Sequence, residues 1–152
     1  LPRFAGWWNH NKETRFNMRQ PFDVMKGAEG WQLSNPPILS MAAIKASLDI
    51  FEKVGMDVLL KKSKKLTGFF EFLIHQIASD TIKIITPAHP NERGCQLSLQ
   101  VKNADKNLHR KLTENNIITD WREPDVIRCA PVPMYTSFED VYHMVKTLES
   151  LL

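Results

Sequence analysis

Arg128 stands in "VIRCAP" (126–131), between apolar neighbours on both sides. A guanidinium in a buried strand is expensive unless it is paired, and its planar fork can hold a carboxylate through two parallel hydrogen bonds. The residue therefore reads either as an anchor for a substrate carboxylate, or as one half of a salt bridge to a distant Glu or Asp, or as a strand-edge Arg facing water. The nearest acid in the sequence is Asp125, three residues back. The tandem Trp7–Trp8 is a second candidate. An indole N–H donates one hydrogen bond, which an oxyanion can accept, while the ring packs rigidly. In an extended segment neighbouring side chains face opposite ways, so one ring could line a site while the other packs. Alternatively both belong to a core or an interface. The third candidate lies in "GWQLSNPPIL" (30–39), where Ser34 and Asn35 precede Pro36 and Pro37. A helix start ordinarily offers free N–H groups to an anion, and two prolines delete two of those donors. Either Ser34 or Asn35 is a simple N-cap with proline at the first helical position, or these side chains supply the donors themselves.

Other chemistry is poorly represented. The five histidines, His10, His75, His89, His109 and His143, form no HxH or HxxxH pair, and Cys95 and Cys129 are far apart, so zinc-ligand spacing is missing. The sequence contains no G-x-S-x-G elbow and no glycine-rich phosphate cradle. The basic run "KKSKK" (61–65) lies on a helix whose apolar stripe continues past it, the pattern of a solvated face.

These residues must be positioned by ordinary globular elements. The 152 residues are 43% hydrophobic and 24% charged, enough chain and enough apolar content for a core. A net charge of +3, from 20 basic and 17 acidic residues, gives no broad footprint for nucleic acid. Two cysteines do not make a disulfide framework, so a reducing, cytoplasmic setting is expected. No apolar run approaches a membrane span. The start, "LPRFAGWWNHN", has no signal-peptide pattern and no initiating Met, and the chain is expected to be a piece of something longer.

Residues 1–34 lack periodicity and read as short strands and loops. From Pro36 onward Ile38, Met41, Ile44, Leu48 and Phe51 recur at helical spacing up to a Gly55 C-cap. A second helix carries Leu59, Leu66, Phe70, Leu73 and Ile77. Strands are expected at 81–86, 94–101, 117–121 and 125–131, with a helix at 104–115. A closing helix over 137–152 has Ser137 as cap, Glu139 and Asp140 in its first turn, and a stripe of Phe138, Val141, Val145 and Leu148. The order implies an α+β sandwich: a small, mostly antiparallel sheet with helices packed on one face, preceded by two long helices.

The segments "FAGWWNH" (4–10), "RFNM" (15–18), "GAEGWQLSNPPILSMAAIKASLDIF" (27–51), "ERGCQLS" (92–98) and "IRCAPVPMYTSFEDVY" (127–142) together resemble the C-terminal part of kynureninase. That family comprises pyridoxal-phosphate enzymes of fold type I, and the resemblance spans nearly the whole chain. It implies that residues 1–35 are the tail end of the large cofactor-binding domain and 36–152 the C-terminal small domain. It implies an intact homodimeric enzyme that hydrolyses L-kynurenine, or 3-hydroxykynurenine, to anthranilate or 3-hydroxyanthranilate and L-alanine. That reaction belongs to tryptophan catabolism and NAD biosynthesis. The Schiff-base lysine of pyridoxal 5'-phosphate is expected outside this chain, which by itself should be inactive.

By the same resemblance, Trp7 donates its indole N–H to the cofactor phosphate and Asn35 also lies at the cofactor. Arg128 holds the substrate α-carboxylate, while Ser34 and Trp8 border its aryl ring. Two positions depart from the family pattern. Asn9 replaces a glycine, and the turn is expected to survive because Asn tolerates positive φ. Lys26 replaces a proline, which would loosen its loop. The rival expectation is a non-catalytic α+β module that binds an amino acid or a partner helix.

Overall fold

The computed structural model describes residues 1–17, 21–77 and 80–152. Met18, at the end of "RFNM", lies outside the described residues. The chain forms two units, Leu1–Lys53 and Val54–Leu152.

In the first unit the expected short strands reduce to a single bridge between His10 and Val24. Two 3-10 turns, Arg15–Asn17 and Ala28–Trp31, and helix α1, Ile38–Val54, complete it. Among its described residues only Asn9 and Gly30 are buried. The helical period of α1 is as expected, but its stripe is uncovered: Ile38, Met41, Ile44, Leu48 and Phe51 are all exposed. A 3.6-residue repeat shows that a helix has an apolar side; it does not supply the surface that covers it.

α1 stops at Val54, where Gly55 adopts φ 85°, the left-handed conformation that glycine takes without a Cβ penalty. Helix α2, Met56–Gln76, follows. Strand β1, Ile82–Ile84, and strand β2, Leu97–Val101, precede helix α3, Lys106–Glu114. Strands β3, Asp120–Arg122, and β4, Val126–Cys129, lead to helix α4, Phe138–Leu151. The sheet order is β1-β2-β4-β3 and every pairing is antiparallel.

Strand alternation separates the two faces of this sheet. Leu97, Leu99 and Val101 of β2, with Ile127 and Cys129 of β4, pack into one core. Leu66, Phe70 and Ile74 of α2, Leu108 and Leu112 of α3, and Val141, Met144, Val145 and Leu148 of α4 close that core. Helices on one face of an α+β sheet are therefore what the chain builds. Ile74 and Met144 join the core in addition to the expected stripes, whereas Phe138 stays exposed. In the "KKSKK" run Lys61, Lys64 and Lys65 are exposed and Ser63 is turned inward. Both cysteines are free thiols.

α4 begins with a reciprocal cap. The Ser137 hydroxyl accepts from the Asp140 N–H, and the Asp140 carboxylate accepts from the Ser137 N–H. α3 starts on Asp105, whose carboxylate accepts from the Asn107 N–H.

Candidate functional site

The first unit gathers four of the sequence candidates on one folded loop. Residues 7–9 form a tight turn rather than an extended segment, so the opposite-facing expectation for Trp7 and Trp8 does not apply. Neither ring is in a core: Trp7 is 52% and Trp8 40% exposed. The Trp7 ring stacks obliquely on Phe16, centroid to centroid 5.4 Å. The Arg15 guanidinium lies 5.4 Å from the Trp8 ring centre, within range of a cation–π attraction.

What holds this loop is Asn9, fully buried at 0% exposure. Its Oδ1 accepts from the Gly6 N–H at 2.8 Å. Its Nδ2 donates to the Phe4 carbonyl at 2.8 Å and to the Gly30 carbonyl at 3.4 Å. Its own carbonyl accepts from the Met25 N–H. The turn survives at residues 7–9 without positive φ at Asn9, which among the described non-glycine residues only Asn103 and Asn116 adopt. The asparagine serves instead through its amide, which joins segment 4–9 to segment 25–30. Glycine permits the close approach on either side: a Cβ on Gly6 would lie 2.2 Å from the Leu33 carbonyl oxygen, and one on Gly30 2.1 Å from that of Met25.

This packing brings Trp8 to Asn35 across 27 residues. The indole Nε1 donates to Asn35 Oδ1 at 2.6 Å. An indole nitrogen can only donate, so the amide orientation is fixed: the oxygen is taken and the two Nδ2 hydrogens remain. Asn35 and Ser34 are both exposed. The capping expectation fails here. The first helical turn of α1 closes through the Pro37 carbonyl, which accepts from the Met41 N–H, and neither Ser34 nor Asn35 donates or accepts at the helix start through its side chain. Among the described residues Trp7 Nε1 and Asn35 Nδ2 have no hydrogen-bond partner. Each is an exposed donor of the kind an anion accepts from.

Arg128 belongs to the second unit and lies on the sheet face opposite the core. Its register partners are Ser98 on β2 and Asp120 on β3. Asp125, its nearest acid in sequence, instead accepts from the Gln100 side chain at 3.1 Å. Arg128 Nε donates to Asp120 Oδ2 at 2.7 Å, and Nη2 contacts the same oxygen. Arg122 Nη2 approaches that oxygen at 3.1 Å. The Arg128 hydrogen bond holds the Asp120 carboxyl below the usual carboxylate range, with the charges of Arg122 and Arg128 adding to the effect. The Arg128 side chain remains 34% exposed, and its Nη1 has no partner among the described residues. The cation is thus paired with Asp120, as the salt-bridge alternative has it, and still open to solvent.

Sequence reasoning gave no sign of the Arg93–Glu71 pair. The Arg93 side chain is 2% exposed and meets Glu71 at 2.6 Å, and its Nη1 donates to the Pro87 carbonyl at 3.3 Å. An open cavity of about 370 Å³ at the end of β4 is lined by Cys129, Tyr135, Thr136, Asp140, His143 and Met144, among others, and does not include Arg128. Burial pushes the Cys129 thiol up to about 12, which removes it as a nucleophile near neutral pH.

Residues 59–148 match the family model described as the kynureninase C-terminal domain. The kynureninase of Myxococcus xanthus is 51% identical over 149 residues, which are 98% of this chain and 35% of that protein. That of Koribacter versatilis is 51% identical over 146 residues, 96% of this chain and 34% of its own length. That of Stenotrophomonas maltophilia is 51% identical over 153 residues, with 99% and 36% covered. The chain therefore spans about a third of the length of these relatives. Among solved structures, the cystine C–S lyase C-DES in complex with cysteine persulfide gives a TM-score of 0.70 at 17% identity, over 97% of this chain and 38% of that one. A NifS-like protein gives 0.65 at 17% identity, over 87% and 40%. At such identities the structural likeness concerns the fold. Among the described residues no helix is long and apolar enough to cross a membrane.

Proposed function

Because the chain belongs to the kynureninase family, matching its C-terminal domain over residues 59–148, we propose that the whole protein hydrolyses the Cβ–Cγ bond of L-kynurenine. The products are anthranilate and L-alanine, and 3-hydroxykynurenine gives 3-hydroxyanthranilate in the same way. The family match carries this proposal, and the geometry of both units is consistent with it.

Pyridoxal 5'-phosphate, when bound, supplies the electron sink for the broken bond. The residues present fit such a group. Trp7 Nε1 and Asn35 Nδ2 are the uncommitted donors that would take its phosphate, and the Trp8 indole holds the Asn35 amide with its hydrogens available. With its N–H spent on Asn35, Trp8 can border the substrate's aryl ring only through its indole surface, alongside Ser34. Arg128 would take the α-carboxylate through the end of its guanidinium that Asp120 leaves open. The Schiff-base lysine is supplied by the part of the protein that this chain does not span, so the chain alone should be inactive.

The protein is proposed to act as a cytoplasmic homodimer. The uncovered apolar stripe of α1 supports an assembly in which further protein surface covers it, and residues 1–35 are assigned to the cofactor-binding part. The relatives reported above are all named kynureninase, which favours the enzyme over a non-catalytic binding module.

The test is to express the whole protein and follow anthranilate fluorescence from L-kynurenine, with and without added pyridoxal phosphate. Cofactor-dependent release of anthranilate is expected. A folded, cofactor-loaded protein that leaves L-kynurenine intact would overturn the proposal.

A further inference from the structure

We infer that Asp120 is a positioning residue for the substrate carboxylate: it grips the side of the Arg128 guanidinium and leaves its end presented on the uncovered face of the sheet. This inference rests on the role proposed above for Arg128.

A guanidinium has two usable edges, one formed by Nε and Nη2 and the other by Nη1 and the second hydrogen of Nη2. Asp120 and Arg128 sit directly opposite one another on β3 and β4, where side chains of an antiparallel pair meet. Asp120 takes the first edge, accepting from both Nε and Nη2 through Oδ2. The second edge has no partner among the described residues. A carboxylate approaching there would find the fork already oriented.

Charge balance points the same way. Arg122 and Arg128 both contact Asp120 Oδ2, so one carboxylate serves two cations and a second would complete the count. Half-exposure matters as well. A long, solvated Arg side chain carries considerable rotamer freedom, and an incoming substrate would otherwise have to order it. Asp120 has ordered it in advance.

The contrary role is also definable. If Asp120 were a competitor that substrate must displace, removing its charge would tighten substrate binding. The two roles have opposite signs.

The experiment uses the full-length holoenzyme carrying Asp120→Asn, Arg128→Ala and the double substitution. The probes are L-kynurenine and, as a competitive inhibitor, the amine that remains when its carboxylate is removed. Asp120→Asn is expected to raise KM for L-kynurenine about tenfold, with a smaller fall in kcat, because one charge-assisted contact is lost. Inhibition by the carboxylate-free amine should stay within about twofold, which a general structural disturbance of the site would not preserve. In the Arg128→Ala background Asp120→Asn should add little, because its target is gone.

An unchanged or lowered KM in Asp120→Asn, beside an impaired Arg128→Ala, overturns the inference and leaves the role of Arg128 standing. Equal loss of affinity for both probes, or additive effects in the double variant, overturns it too. Normal kinetics in Arg128→Ala removes the parent assignment and this one together.

Discussion

The indole N–H of Trp8 donates to the side-chain oxygen of Asn35 over 2.6 Å. That single bond answers what a helix entrance sealed by two prolines can offer an anion. Backbone donors are absent at Pro36 and Pro37, and the Asn35 amide, held by its oxygen, is the group proposed to supply N–H donors instead. Trp8→Phe keeps the ring and deletes the donor. In the full-length enzyme it should weaken pyridoxal phosphate by about fivefold, the effect of one modest hydrogen bond. Absorbance titration of apoenzyme with cofactor measures this. In an Asn35→Ala background the same substitution should have almost no further effect.

Asn9 is the polar core of its loop. Asn9→Ala would leave the Gly6 N–H and the Phe4 and Gly30 carbonyls without their partner. With buried polar groups each costing roughly 1–3 kcal/mol when unsatisfied, a loss of ~2–4 kcal/mol is expected for this segment. Hydrogen exchange at Gly6 should accelerate accordingly, while amides of β2 and β4 keep their protection.

Arg93 and Glu71 test a different balance. Removing one member of a fully buried pair costs about 3–5 kcal/mol, and somewhat less is expected where Glu71 stays partly exposed, whereas replacing both by apolar residues is often nearly neutral. Urea unfolding should therefore find Arg93→Ala much less stable than the double variant Arg93→Met, Glu71→Leu.

Acid should act on α4 through its cap. Hydrogen bonds from the Ser137 backbone, and then from its hydroxyl, hold the Asp140 carboxyl below its ordinary value of 3.8. A depressed folded-state value means stability that is complete above the unfolded value and is lost as pH falls through the folded one. Asp140→Asn should be less stable than the unsubstituted protein at pH 6, with the difference shrinking toward pH 2. Thermal unfolding across that range measures it.

How much of this was readable in the sequence follows from range. Helices α1, α2, α3 and α4 announce themselves because i, i+3, i+4 spacing is local, and the Ser137 and Gly55 boundaries are local chemistry as well. The alternation of Leu97, Leu99 and Val101 gave the buried face of β2. The partners of the site residues were not readable. Asp120 meets Arg128 only because β3 pairs with β4 in one particular register; by sequence distance Asp125 looked nearer. Trp8 finds Asn35 only once Gly6 and Gly30 allow two segments to touch. The turn at Asn9 was expected to survive through tolerance of positive φ; it survives, and it is the Asn9 amide that ties it down. The apolar stripe of α1 was legible, but a local repeat does not say what, if anything, covers it.

The most direct test concerns Arg128 in the full-length enzyme, by steady-state kinetics of Arg128→Ala with L-kynurenine. Loss of a charge-assisted carboxylate contact of about 2–4 kcal/mol should lower kcat/KM between roughly thirtyfold and a thousandfold, with a raised KM and unchanged cofactor absorbance. A variant that binds and cleaves L-kynurenine as well as the unsubstituted enzyme would contradict the assignment of this guanidinium to the substrate.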